Sequence, residues 1–328
     1  MAERTTRVLR IDAGNPEPSI LREAADMLRG SGLVAFPTET VYGLGANALD
    51  ATAVAGIFVA KGRPANNPLI VHVDGEAMLR QVAAGWPPVA AKLASRYWPG
   101  PLTLVLPKTP AVPDIVTGGG PTVAVRMPAH PVAIGLIREA GIPLAAPSAN
   151  RSNQLSPTRA EHVLAGLNGR IDLILDGGPT SNGIESTVID LSGDRPQFLR
   201  PGPISQAELE RLIGPIHVPV GSADRPLPSP GMLPRHYAPR TPVVLVANQK
   251  EVRTRLGQNS AALVIGRAIN VSGRVVEMPG DAAGYAAKLY AVLHELDDSG
   301  FSEIVVEMPP ATDEWFAVCD RLTRAART

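Results

Sequence analysis

Short apolar runs alternate with longer amphipathic stretches along the chain, and the alternation breaks once, at a proline-rich segment spanning Pro219–Pro242. Val8–Ile11, Leu33–Phe36, Leu69–Val73, Leu102–Leu106, Thr122–Arg126, Pro143–Ala146, Leu173–Leu175, Thr187–Leu191 and Gln197–Leu199 are short and largely aliphatic, which predicts buried strands. Between them, Ser19–Leu28, Asp50–Lys61, Glu76–Val82, Val89–Tyr97, Pro131–Ala140, Arg159–Leu167 and Ser205–Leu212 read as helices. Asp50 suits the N-cap of the second helix, and Thr158 that of the helix opening at Arg159. Gly62 suits a C-cap after Lys61, with Pro64 preventing continuation. The mixture predicts an open α/β sheet.

The break divides the chain into residues 1–218, a linker over 219–242 and a second region over 243–328. Proline at the density of Pro226-Leu227-Pro228-Ser229-Pro230 cannot occupy a helix interior or a central strand. The linker also carries Arg235-His236-Tyr237-Ala238-Pro239, three of whose side chains suit a nucleotide. After it the alternation resumes with strands Val243–Val246, Ala262–Ile265, Val275–Met278 and Glu303–Glu307 and helices Ala282–Leu296 and Glu314–Arg324. That order predicts a small parallel α/β domain.

Composition sharpens this picture. The 328 residues carry 31 basic and 31 acidic side chains, balanced in both regions, so a strongly basic nucleic-acid-binding surface is disfavoured. Aromatics make up only 4%, which leaves Val, Leu, Ile and Ala to build the core, as in parallel sheets covered by helices. The single cysteine, Cys319, excludes a disulfide framework and a Cys-rich zinc site. The first residues lack a signal-peptide core, and no apolar run is long enough to cross a membrane. A soluble, cytoplasmic protein is expected.

The densest candidate chemistry follows the Leu33–Phe36 strand, in Pro37-Thr38-Glu39-Thr40-Val41-Tyr42-Gly43-Leu44-Gly45. Gly43-x-Gly45 fits a loose dinucleotide fingerprint, or simply a tight turn. The intervening Pro-Thr-Glu-Thr, with Lys61 and Arg63 near where an acidic ribose ligand would stand, argues against the fingerprint. Lys61 and Arg63 flank a glycine at a helix end, where basic residues commonly complement the dipole. The amide-rich loop Pro64-Ala65-Asn66-Asn67-Pro68 points instead to ligand binding. Arg126 ends an apolar strand, and Ser148, Asn150, Ser186 and Arg200 also sit at strand ends, where open α/β sheets bind ligands. Each has a structural alternative: a paired arginine, a turn cap, a satisfied strand histidine for His72. Together they mark a converging site. His130, His162, His217 and His294 show no metal-ligand spacing.

Pro37-Thr38-Glu39-Thr40-Val41-Tyr42-Gly43-Leu44, Lys61-Gly62-Arg63-Pro64, Asn67-Pro68-Leu69, Arg126-Met127-Pro128, Pro147-Ser148-Ala149-Asn150, Glu185-Ser186-Thr187-Val188 and Leu199-Arg200-Pro201-Gly202 occur in that order. With Ser229-Pro230-Gly231-Met232 and Arg235-His236-Tyr237-Ala238-Pro239, the chain resembles the threonylcarbamoyl-AMP synthase family in its longer, two-domain form. The resemblance implies a twisted YrdC-like α/β domain with a concave cleft, then a small Rossmann-like domain, with the linker covering the active site. It implies condensation of L-threonine, bicarbonate and ATP to an adenylate and pyrophosphate, with Mg2+ carried by ATP and no protein metal cage. The product would serve threonylcarbamoyladenosine formation in tRNA through a separate transferase, with direct tRNA binding weak or absent.

Carried over by motif, Thr40, His72, Arg126, Ala146 and Ser186 are expected to hold L-threonine. Lys61, Arg63, Asn67, Thr122, Ser148, Asn150, Ser156, Arg200 and one of His236 and Tyr237 are expected to hold ATP, Lys61 and Arg63 steadying the phosphates. An RNA-binding module, a carbamoyl-transfer enzyme and a nicotinamide dehydrogenase are the rival readings. Balanced charge, the single cysteine and the displaced glycines count against them in turn.

Overall fold

The computed structural model describes residues 5–219, 237–268 and 273–327. The first region contributes ten strands: β1 (Arg7–Arg10), β2 (Val34–Phe36), β3 (Gly43–Asn47), β4 (Ile70–His72), β5 (Leu102–Pro107), β6 (Thr122–Arg126), β7 (Leu144–Ala145), β8 (Leu173–Asp176), β9 (Thr187–Asp190) and β10 (Gln197–Arg200). They form one sheet in the order β1-β8-β2-β3-β7-β4-β6-β5-β9-β10.

This sheet is mixed, where the composition suggested parallel pairing. β1–β8, β8–β2, β4–β6 and β5–β9 are parallel, whereas β2–β3, β3–β7, β4–β7, β5–β6 and β9–β10 are antiparallel. Only Pro37–Tyr42 separates β2 from β3, too short a stretch for the crossover that a parallel pair needs. Gly43 and Gly45 therefore lie within a strand, and neither the dinucleotide-fingerprint nor the turn reading holds. Gly45 is required for packing, because a Cβ there would stand 2.7 Å from the Phe36 ring.

Eight helices accompany the sheet: α1 (Pro18–Arg29), α2 (Ala51–Lys61), α3 (Glu76–Val82), α4 (Pro88–Tyr97), α5 (Asp114–Thr117), α6 (Pro131–Ala140), α7 (Ala160–Leu167) and α8 (Gln206–Ile213). α1 buries Leu21, Ala24, Ala25 and Leu28, one stripe at helical spacing. Asp50 caps α2 by accepting from the Thr52 amide. At the other end Gly62, at φ 61°, closes α2 in the left-handed conformation and turns the chain between Lys61 and Arg63. Thr158 does not cap α7; Arg159 occupies that position without a side-chain cap.

The second region comprises β11 (Val243–Val246), α9 (Gln249–Arg255), β12 (Ser260–Ile265), β13 (Arg274–Met278), α10 (Ala282–Asp298), β14 (Glu303–Glu307), a 3-10 turn (Asp313–Trp315) and α11 (Phe316–Ala325). Its sheet runs β11-β14-β12-β13 and is parallel throughout, as the sequence predicts. α9 was not legible, since only Val252 of its residues is buried. Among the described residues no helix is long and apolar enough to cross a membrane.

Candidate active site

The strand register gathers polar side chains at one end of the first sheet. His72 of β4 pairs with Arg126 of β6, and Arg126 with Thr103 of β5. Leu102 of β5 pairs with Thr187, so Ser186 reaches the same edge. The cavity there is lined by Thr38, Thr40, Arg63, His72, Arg126, Ala146, Ser148, Glu185, Ser186, Arg200 and Tyr237, with Val41, Gly43, Ile70 and Pro147 between them. Its volume is about 50 Å³, far below the roughly 300–1,000 Å³ of ordinary ligand pockets, and Tyr237 and three arginines form part of its wall.

The Thr38–Thr40 loop is shaped by its own hydroxyls. Thr38 Oγ1 donates to the Val41 carbonyl and receives the Thr40 and Val41 amides. This presents Thr40 Oγ1 to Arg126, whose Nη1 donates to it at 2.9 Å while Nε donates to the Gly100 carbonyl. Arg126 Nη2 stands 2.7 Å from Glu39 Oε1 in an ion pair, without the alignment of a hydrogen bond. His72 is buried beside it, and burial, reinforced by Arg126, lowers its pKa to about 3. The imidazole is therefore neutral at physiological pH, and its Nδ1 has no partner among the described residues.

Ser186 Oγ shares a hydrogen bond with Thr103 at 2.7 Å and accepts from Arg200 Nη2 at 2.9 Å. Arg63 Nη2 donates to Asn67 Oδ1 and to the Pro68 carbonyl, closing its loop on itself. Burial lowers the Arg63 pKa to about 10, which leaves it charged at neutral pH.

Of the residues expected from the sequence, Thr40, Arg63, His72, Arg126, Ala146, Ser148, Ser186, Arg200 and Tyr237 line this one cavity. Five others stand behind or away from it. Lys61 Nζ donates to the carbonyls of Ser148 and Asn150, so the lysine braces the loop that presents Ser148. Burial, then Arg63 and Arg151, lower its pKa well below the usual lysine value. Asn67 backs Arg63, and Ser156 donates to Glu185. Asn150 lines a neighbouring cavity with His162 and His294, and Thr122 opens β6 at the end opposite Arg126. His236 lies outside the described residues, as does the linker from 220 to 236.

Residues that the sequence reading left without a role complete the site. Glu185 accepts from Ser156, from Tyr290 of α10 and from Arg321 of α11. Burial pushes its carboxyl up, but the Arg321 and Arg200 guanidiniums bring it below the usual carboxylate range. Arg321 is fully buried on the Ala317, Val318, Leu322 and Ala325 side of α11, and a charge on that apolar stripe was the available signal.

The charge balance is one-sided. Buried charged side chains among the described residues are Lys61, Arg63, Arg126, Arg200 and Arg321 against Glu39 and Glu185, all in or beside this cavity. Around this cavity His72 Nδ1 and Asn67 Nδ2 are buried with no hydrogen-bond partner among the described residues, and Glu39 and Arg126 Nη2 meet only as an ion pair without hydrogen-bond alignment. Such groups ordinarily find a partner, so their concentration points to a polar ligand. The chemistry favours a small anion with several acceptor oxygens.

A family model described as "Telomere recombination" matches residues 26–202, and another described as "Threonylcarbamoyl-AMP synthase, C-terminal domain" matches residues 204–327. Threonylcarbamoyl-AMP synthase of Bacillus subtilis (strain 168) is 44% identical over 325 residues, covering 93% of this chain and 92% of its own. The protein of that name from Pyrococcus abyssi is 44% identical over 318 residues, covering 93% and 94%. The crystal structure of P. abyssi Sua5 complexed with L-threonine matches with a TM-score of 0.92 at 41% identity, over 98% of each chain. Escherichia coli YciO matches with a TM-score of 0.55 at 26% identity, over 60% of this chain and 96% of its own.

Proposed function

The chain belongs to the threonylcarbamoyl-AMP synthase family, and on that premise we propose that it condenses L-threonine, bicarbonate and ATP into L-threonylcarbamoyladenylate and pyrophosphate. One observation carries the reading from the chain's own residues: three buried arginines, Arg63, Arg126 and Arg200, line one cavity with a single buried carboxylate, Glu185, in a protein with no net charge. An amino-acid carboxylate and a triphosphate together supply the missing negative charge.

In this proposal the Arg126 guanidinium grips the threonine carboxylate with its fork, the geometry that arginine offers better than lysine. Thr40, His72, Ser186 and the Ala146 backbone surround the rest of the amino acid. Neutral His72 serves as a hydrogen-bonding partner and adds no repulsion beside Arg126. Arg63, Ser148 and Arg200 take the nucleotide, supported by Asn67, Asn150 and Ser156, with Thr122 farther along β6 and Tyr237 against it. Lys61 acts through the Ser148–Asn150 loop that it braces.

The threonine amine combines with bicarbonate, releasing water, or with carbon dioxide, releasing a proton, to form a carbamate, whose oxygen attacks the α-phosphorus of ATP as pyrophosphate leaves. No covalent enzyme intermediate is required. The side chains contribute position, cationic stabilisation of the phosphates and exclusion of water. Magnesium would arrive with ATP and neutralise phosphate charge. Glu39 and Glu185 are already paired with Arg126 and Arg321, so the donor set suits a metal held by phosphate oxygens and water. A cytoplasmic setting, where a separate transferase would pass the threonylcarbamoyl group to tRNA, follows from the same reading.

Pyrophosphate release from ATP, measured with and without L-threonine and with and without bicarbonate, tests it. Release that needs both supports the proposal; folded protein with magnesium that releases none under any combination refutes it.

A further inference from the structure

Arg321 belongs to the second domain, yet its guanidinium is buried against the first. Nε donates to Glu185 Oε2 at 2.7 Å, and Nη2 to the Pro201 carbonyl at 2.9 Å. Glu185 immediately precedes Ser186, and Pro201 immediately follows Arg200, so one side chain fixes the backbone beside two cavity-lining residues. The guanidinium carbon also lies 5.0 Å from the centre of the Tyr237 ring. Tyr290 of α10 stands 6.0 Å from that ring and donates its hydroxyl to Glu185.

Tyr237 needs such support. Its φ of 61° is unusual for a bulky residue and persists only where its surroundings enforce it. On its C-terminal side Ala238 donates its amide to the Asn153 carbonyl, and the Thr241 amide is held by Asp297. These contacts fix the chain on either domain but leave the orientation of the ring to its neighbours.

We propose that Arg321 is a positioning residue for the active site, holding the Tyr237 ring in the cavity wall with its planar guanidinium while it anchors Glu185 beside Ser186. The small domain thereby contributes to nucleotide binding through a side chain that meets no substrate itself. Burial opposes the charge of Arg321, but its ion pairs with Glu185 and Asp320 hold its pKa above the usual arginine value, so the residue remains cationic. A lysine would preserve the charge that Glu185 requires without the flat fork that spans carboxylate, carbonyl and ring. This inference rests on the adenylate-forming reading of the cavity, and its test separates the two.

The chain has five tyrosines, so 3-fluorotyrosine labelling gives a fluorine spectrum in which the Tyr237 signal is assigned by Tyr237→Phe. Arg321→Lys, which keeps Glu185 paired, is expected to fold and to move that signal toward the free-amino-acid position. It should also raise KM for ATP about tenfold or more with a smaller change in kcat. In a Tyr237→Ala background the same substitution should add little, because its target is gone. An unmoved Tyr237 signal, a moved signal with unchanged KM, or losses that multiply in the double variant would each overturn the proposal. Failure of the unsubstituted protein to release pyrophosphate would instead refute the functional reading, and the fluorine signal would still decide whether Arg321 holds Tyr237.

Discussion

Lys61 donates its ammonium to the Ser148 carbonyl at 2.6 Å, and a second donor reaches the Asn150 carbonyl. A buried lysine thus tethers the end of α2 to the loop after β7. Lys61→Met would preserve the bulk and leave the buried Asn150 carbonyl and the half-buried Ser148 carbonyl without their donor, a cost of about 1–3 kcal/mol for the first and somewhat less for the second. The expected outcome is a loss of about 2–5 kcal/mol in denaturant unfolding, with ATP binding weakened more than L-threonine binding. Unchanged stability with lost ATP affinity would show instead that the ammonium meets the phosphates directly.

Arg126→Ala separates the two ligands. It removes the fork proposed for the threonine carboxylate, whereas the Arg63 and Arg200 side chains lie elsewhere in the cavity wall. Calorimetric titration should show L-threonine binding abolished and ATP binding largely retained. Equal loss of both would assign Arg126 a structural role through Glu39 and Gly100.

Much of the site was legible because each motif couples a strand end to the chemistry of its own residues. Arg126 closes an apolar strand, and Ser148 and Ser186 stand where strands end or begin, as the sequence suggests, whereas only the strand register shows that these ends lie together. Lys61 shows the limit of that approach. Its motif spacing marks it as important, but only the fold shows that carbonyls from residues far along the chain receive its protons. Arg321 is harder still, since its partners Glu185, Pro201 and Tyr237 are assembled by domain packing and no local pattern connects them. Gly43 and Gly45 misled for a related reason. A glycine required by a ring packed across a hairpin looks in sequence like one required by a turn.

Two glycines in the loop leading to Glu185 should respond differently to alanine. Gly183, at φ 71°, lies against α10, and a Cβ there would stand 2.3 Å from the Ala286 carbonyl oxygen. Gly178, at φ 79°, has nothing within 4 Å of the same position. Gly178→Ala should therefore cost only the left-handed backbone penalty, about 1–2 kcal/mol. Gly183→Ala should add a further 1–3 kcal/mol or so from overpacking and accelerate hydrogen exchange in α10. Equal losses at both positions would show that the domain contact yields without cost.

Acid should loosen the protein before its carboxylates protonate. His162 of α7 and His294 of α10 stack across the domain boundary with ring centres 3.9 Å apart. Burial, then His294 and Arg159, lower the His162 pKa to about 3; burial also lowers that of His294. Both rings are neutral in the folded protein near neutral pH, while unfolded histidine takes up its proton around pH 6.5. The unfolded state binds more protons below that value, so stability is fully retained above about pH 6.5 and declines as the pH falls toward 3. Buried His72 acts in the same direction. Glu185, whose pKa lies below its ordinary 4.5, adds its loss only at lower pH, which leaves the interval above 4.5 to the histidines. His162→Phe keeps an aromatic ring in the stack and cannot protonate. It should flatten the dependence between pH 6.5 and 4.5 by at most about 1.4 kcal/mol per pH unit, measured by denaturant unfolding across that range. An unchanged slope would mean that His162 protonates as readily in the folded chain as in the unfolded one, and that the stacked pair opens before the domains separate.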